Sequence, residues 1–255
     1  MRYLISASSD VGIKKENNQD SLMAKSLSID GEEVALAVLC DGVGGLAKGE
    51  VASATVVKAF DKWFSERFPD IFYADNVDSL IYSDWQKLLE VYNRKIREFG
   101  IANNISLGTT ITAILLLRER YYIVNIGDSR TYEISSKVRQ LTKDQTIVEY
   151  ELANGMLTPE QAEKDKRKSI LLQCIGASER LIPDFFTGKI QKNTVFMLCS
   201  DGFRHLISEE EIYAKFQPDY ISSAEQMKVS ERELIELNKQ RQEKDNISII
   251  TIKIL

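Results

Sequence analysis

The 255-residue chain has one histidine, four prolines and three cysteines. Cys40, Cys174 and Cys199 sit inside apolar runs, far apart, and form no CxxC pair. That number and spacing argue against a disulfide framework and a thiolate zinc site, and suit buried free thiols in a reducing compartment. Scarce proline advertises no linker. No internal repeat or low-complexity tract divides the chain, so one domain over residues 1–255 is expected. No apolar run reaches the roughly 20 residues that cross a bilayer. The first twelve residues contain no apolar leader core, so no secretory signal is expected. Positive charge is not in excess either: 33 Lys and Arg stand against 38 Asp and Glu, a net charge of −5. Nucleic acids and anionic membranes call for a basic face, so neither is an expected partner. The expectation is a cytoplasmic monomer.

Hydrophobic content of 44% and charged content of 28% suit a chain that buries a core. Residues 22–29 and 34–39 predict a hairpin around Asp30-Gly31, its second strand apolar enough to be buried. Val51, Ala54, Val57, Phe60 and Phe64 recur at helical spacing and predict a helix over 49–68. Leu80, Leu88, Leu89, Val91, Tyr92 and Ile96 predict another over 79–99, with Trp63 and Trp85 as core residues. Short β-branched runs at 110–117, 121–126, 130–135 and 138–141 predict an antiparallel meander. Residues 144–168 are polar and helix-prone, with a turn near Thr158-Pro159, and read as a surface insertion. Strands at 185–190, 194–198 and 247–254 bracket a long polar helix over 223–242. Antiparallel sheets with helices on the outside make an α+β protein.

Four segments share one design: an apolar, β-forming run meets an Asp that is paired with Gly or Asn. They are Cys40-Asp41-Gly42-Val43-Gly44-Gly45, Gly127-Asp128-Ser129-Arg130, Ser200-Asp201-Gly202 and Asp245-Asn246. A single Asp-Gly is usually a turn. Four at strand ends would instead hold carboxylates on a rigid sheet and aim them into a cleft, with Gly admitting close approach to a ligand. Converging carboxylates repel one another unless a cation neutralises them. Oxygen donors without His or Cys suit Mg²⁺ or Mn²⁺ better than Zn²⁺.

The order of these motifs resembles the PPM-type metal-dependent protein phosphatases, the protein phosphatase 2C type, in its bacterial branch. The resemblance opens at Gly12-Ile13-Lys14-Lys15-Glu16-Asn17-Asn18-Gln19-Asp20, similar to the family's G-x-x-R-x-x-N-x-D. It continues through DGVGG with Gly49-Glu50, then Gly108-Thr109-Thr110, GDSR and SDG, and ends at Asp245-Asn246. It implies a four-layer α-β-β-α sandwich, a central antiparallel β-sandwich flanked by helices, with two Mn²⁺ or Mg²⁺ ions at one end. By position, Asp41 would bridge both ions and the Gly42 carbonyl would bind the first. Asp201 and Asp245 would bind the second, and Asp20 and Glu50 would hold coordinated waters, with Asn246 in support. Asp128 matches the position that, with Asp201, takes a third and weaker ion in bacterial members. A water shared by the ions would attack phosphoserine or phosphothreonine in line, so no nucleophilic Cys or Ser is required. The segment at about 143–168 corresponds to the bacterial flap. Phosphorylated proteins are the implied substrates and a Ser/Thr kinase the implied counterpart in signal transduction.

Several positions depart from the family pattern. Lys15 stands where the family has a forked arginine for the substrate phosphate, so it would supply charge without bidentate geometry. Val43, Leu46 and Gln145 stand where histidines are common. The lone His205, just after SDG, reads as structural. Ser129 and Ser200 lie outside any G-x-S-x-G elbow and read as hydrogen-bonding residues. These departures keep open two alternatives on the same fold, a catalytically weak regulatory module that binds a kinase or phosphopeptide and a small-molecule phosphomonoesterase.

Overall fold

The structure, a computed structural model, describes residues 1–43 and 48–255. Gly44, Gly45 and Leu46 of the glycine-rich motif lie outside the described residues. The first sheet holds β1 (Tyr3–Asp10), β10 (Ile247–Ile254), β9 (Val195–Cys199), β6 (Arg130–Ile134) and β7 (Val138–Gln140), in that order across the sheet. The second holds β2 (Ser21–Ile29), β3 (Glu32–Cys40), β4 (Ile111–Leu117), β5 (Arg120–Ile126) and β8 (Asp184–Lys189). All neighbouring strands in both sheets run antiparallel. The helices, in chain order, are α1 (Gly49–Lys62), α2 (Phe68–Phe72), α3 (Val77–Asn103), α4 (Ile147–Ala153), α5 (Pro159–Lys164), α6 (Asp201–Arg204), α7 (Glu209–Phe216) and α8 (Ala224–Gln240).

Three apolar layers account for the four-layer order. Ala35, Ala37 and Leu39 of β3 face Phe196 and Leu198 of β9 and Ile250 and Ile252 of β10 between the sheets. Val34, Leu36, Val38 and Cys40 point the other way, into α1 and α3. β3 is therefore covered on both faces, which is why it reads as a continuous apolar run rather than an alternation. α7 and α8 cover the outer face of the first sheet through Ile212, Phe216, Met227 and Leu234. Trp63 and Trp85 stack edge-to-face beneath α1 and α3, with ring centroids 5.6 Å apart. Burying side chains of this size contributes roughly 1.5–3 kcal/mol each.

The hairpin and the long helices stand as the sequence predicts, with four differences. The predicted meander is split, β4 pairing with β5 in the second sheet while β6 pairs with β7 and β9 in the first. β1 was not expected, because its buried face carries Ser6 and Ser8 rather than apolar residues. The helix predicted over 49–68 is α1 followed by a π-helical turn, Trp63–Arg67, that leads into α2. The turn near Thr158-Pro159 stands between α4 and α5 in a helix-prone segment, as read, and Thr158 caps α5 in a reciprocal capping box with Gln161, Pro159 lying in the first turn. α7, capped in the same way by Ser208 and Glu211, was also missed. No helix among the described residues is long and apolar enough to cross a membrane.

Candidate active site

Strand pairing gathers the predicted aspartates at one end of the sandwich. Ser21 pairs with Cys40, so Asp20, just before β2, and Asp41, just after β3, leave the second sheet side by side. Cys199 pairs with Ile249, so Asp201 and Asp245 leave the first sheet at the same end. Asp128 sits where the chain passes from β5 in one sheet to β6 in the other.

The local backbone is tightly fixed. Asp41 donates its N–H to Thr110 Oγ1 at 3.0 Å, and its carbonyl accepts from Thr110 N and Thr109 Oγ1, both at 2.8 Å. Thr110 and Ser129 hydroxyls lie 2.9 Å apart, which ties the Asp41 turn to the Asp128 loop. Asn246 Oδ1 accepts from Gln19 N at 2.9 Å, and its Nδ2 donates to the Val11 and Asn17 carbonyls. That single amide clamps the loop bearing Lys15 and Asp20 onto the start of β10. A Cβ on Gly202 would lie 2.2 Å from the Asn246 carbonyl, so only glycine lets the Asp201 turn pack against Asp245-Asn246. Glu50, in the first turn of α1, accepts a long contact of 3.5 Å from Gln19 Nε2, and Ser53 Oγ donates to the Gln19 carbonyl at 2.6 Å. Gln19 and Ser53 were not singled out in the sequence; they matter because they lock Asp20 to α1.

The electrostatics place Asp41 at the centre. Burial pushes its carboxyl well above the usual carboxylate range, and the charges of Asp20, Asp201, Asp128 and Asp245 push it further. Burial, with the charges of Asp201 and Asp245, raises Asp20 to about 7. The Ser248 and Ser200 hydroxyls lie close enough to pull Asp20 the other way, but neither completes a hydrogen bond to it. Ser248 shares a hydrogen bond with Ser9 and Ser200 Oγ accepts from Ser248 N, and among the described residues both Asp20 carboxylate oxygens are buried without a partner. Asp201 Oδ1 is in the same condition. Lys15 Nζ lies 2.8 Å from Asp245 Oδ1. Burial opposes its charge, yet Asp245, Asp41 and Asp201 together hold its pKa above the ordinary lysine value. Lys15 is therefore part of the cluster, not a solvated surface charge.

Among the described residues, no three His, Cys, Asp or Glu side chains close into a ready cage around one ion. The aspartates lie close enough for the charges of four to act on Asp41, and one of them, Asp245, is paired with Lys15. Unpartnered buried carboxylate oxygens are costly, and hard divalent cations are the ligands such a set of oxygens fits.

His205 bridges two acids, its Nε2 3.6 Å from Asp201 Oδ2 and its Nδ1 3.4 Å from Glu243 Oε2. Burial works against its protonation, but Glu243 and Asp201 raise its pKa overall. Gln145 points away from the aspartates: its Oε1 accepts from Gly127 N at 3.0 Å, and its Nε2 donates to Asp184 Oδ2 at 2.9 Å. It anchors the root of the flap-like segment. Burial pushes the Cys40 thiol up well beyond its usual value and Cys199 to about 12, so neither is a nucleophile.

The family model for protein phosphatase 2C matches residues 13–237. The chain belongs to the protein phosphatase 2C family. Protein phosphatase PhpP of Streptococcus pneumoniae is 32% identical over 212 residues, 82% of each chain. The structure of the serine/threonine phosphatase of S. agalactiae superposes with a TM-score of 0.86 at 26% identity, covering both chains completely. The catalytic domain of the phosphatase PstP, solved in complex with two manganese ions, superposes with a TM-score of 0.79 at 27% identity over 98% of this chain and 97% of that one. This 2C-family chain therefore has the fold expected from its motifs, and the two-sheet sandwich ends in the acidic cluster those motifs supply.

Proposed function

We propose that the chain is a metal-dependent phosphoprotein phosphatase that hydrolyses phosphoserine and phosphothreonine. The observation that carries this reading is the cluster of five aspartates at one end of the sandwich, with Asp41 under the field of the other four and, among the described residues, both Asp20 oxygens buried without a partner. Asp41, the Gly42 carbonyl, Asp201 and Asp245 would hold two Mn²⁺ or Mg²⁺ ions, with Asp20 and Glu50 on coordinated waters and Asn246 fixing the loop beneath them. Such a pair supplies Lewis acidity toward the phosphoryl oxygens and lowers the pKa of water.

The chain's own groups do the rest. Asp41 and Asp20, on adjacent strand ends, fix the donor set without reorganisation. Lys15 leaves Asp245 to meet a phosphoryl oxygen with its ammonium, as a point charge rather than a fork. His205 and Glu243 orient the Asp201 carboxylate. The relatives, named as serine/threonine phosphatases, favour phosphoproteins over a small metabolite as substrate. A Ser/Thr kinase counterpart, a signalling role, the cytoplasm, a monomeric state and action as one domain over 1–255 with a flap at about 143–168 belong to the same proposal.

The test is turnover of p-nitrophenyl phosphate and of a phosphothreonine peptide with and without Mn²⁺, in wild type, Asp41→Asn and Asp201→Asn. Mn²⁺-dependent turnover lost in both variants is expected. Absence of Mn²⁺-dependent turnover in the wild type would sink the enzyme, and full activity in both variants would sink the site.

A further inference from the structure

Asp128 has an arginine where its bacterial relatives were expected to share a third cation. Arg204, three residues after Asp201 on α6, reaches back with Nη2 to the Asp128 carbonyl at 3.2 Å and to Asp144 Oδ2 at 3.1 Å. The same nitrogen lies 3.5 Å from Asp128 Oδ2, a close charge contact rather than a good hydrogen bond. Arg130 grips Asp144 from the other side with two hydrogen bonds of 2.8 Å. All four side chains are largely sequestered: Asp128 is 7% exposed, Asp144 6%, Arg204 14% and Arg130 23%. The group lies on the floor of a cavity of about 430 Å³ roofed by α4 and α5.

We infer that the Arg204 guanidinium takes the place of a third metal ion in this protein. The carboxylates of Asp128 and Asp144 are matched by the guanidiniums of Arg204 and Arg130, which leaves Asp201 as the one neighbouring carboxylate outside that balance to attract a divalent cation. A guanidinium cannot shed its proton to make room. An ion at Asp128 would sit against a fixed positive charge in a site poorly screened by solvent. The guanidinium is covalently attached and needs no cation concentration to be present, so the bond between the SDG helix and the root of the flap-like segment, where Asp144 lies, is permanent. Arg204 is a positioning residue: it fixes Asp128 and Asp144 relative to Asp201.

This inference rests on the metal-dependent reading above, and counting ions separates the two. The experiment titrates the full chain with Mn²⁺, by calorimetry and by electron paramagnetic resonance of free Mn²⁺, for wild type, Arg204→Ser, Arg204→Lys and Arg204→Ser/Asp128→Asn. The expected wild type saturates at two ions per chain. Arg204→Ser gains one weaker ion, the double variant loses it again, and Arg204→Lys stays at two. Two tight ions retained in Arg204→Ser show that the variant is folded. A wild type that takes a third ion removable by Asp128→Asn overturns the inference, as does an Arg204→Ser protein that stays at two. A wild type that binds none overturns the proposed function itself.

Discussion

Two regions of the molecule hide carboxylates from water, and they treat them oppositely. Glu231 of α8 is fully buried against β1 and β10, where its Oε2 accepts from Ser6 at 2.9 Å and Ser8 at 2.6 Å and its Oε1 from Thr251 at 2.6 Å. Asp20, at the other site, has both oxygens buried and neither bonded among the described residues. Both carboxyls are raised chiefly by burial and pulled back by hydroxyls, three on Glu231 and those of Ser248 and Ser200 on Asp20, but only Asp20 is also pushed up by neighbouring acids, Asp201 and Asp245. A satisfied buried acid holds elements together; an unsatisfied one, crowded by its own kind, costs stability until a ligand arrives. The fold uses one to dock a helix and the other to make a site.

The largest expected effect breaks the comparison at its active end. Asp41→Asn lowers kcat/KM by about a thousandfold, the scale of losing a principal electrostatic group. Its melting temperature in chelator holds or rises, because one like charge has gone; a marked fall would mean that Asp41 serves the fold. Glu231→Ala tests the other end. It strands three buried hydroxyls and costs about 3 kcal/mol in denaturant unfolding, with kcat per folded molecule unchanged. Gly202→Ala couples the two kinds of loss. The new Cβ meets the Asn246 carbonyl at 2.2 Å, and overpacking of this kind costs about 2 kcal/mol, with weaker Mn²⁺ binding in the same sample. Lys15→Ala is milder, raising KM for a phosphopeptide about tenfold, and Lys15→Arg restores it because the fork suits phosphate.

The smallest effect is a pH trend, because the clustered acids share their protons. Asp20 and Asp128 are each raised from 3.8 to about 7. Acids raised on folding favour the native state most below their unfolded pKa, and that advantage is lost as pH climbs through the folded value. In chelator, stability from this cluster therefore falls between about pH 4 and pH 7. Glu231 contributes a trend of the same sign, so only the part that Mn²⁺ abolishes belongs to the cluster. A slope identical with and without Mn²⁺ would remove the cluster from the explanation.

Much of this was legible without coordinates. Val34 to Leu39 read as a buried strand, and the Asp-Gly pairs after such runs marked where carboxylates would emerge. Other features were not legible. β1 hides behind Ser6 and Ser8, whose burial makes sense only once Glu231, far along the chain, is seen to accept from both. Arg204 stood in plain view beside His205, yet its partner Asp144 reads as the edge of a polar insertion. Its position three residues after Asp201 on a helix was the one available signal, since that spacing puts both on the same face. Gln145 looked like a substitute for a flap histidine and is instead bonded to Gly127 and Asp184.

The sequence by itself determined the elements and the identity of the donors, because apolar periodicity and Asp-Gly punctuation act locally along the chain. Only the tertiary structure decided which of those donors remain unpaired. Among the described residues Asp20 is left without a partner, Asp245 meets Lys15, and Asp128 and Asp144 meet Arg204. A charge's partner is fixed by strand register and helix docking across long stretches of chain, and such distances leave no period in the sequence to read.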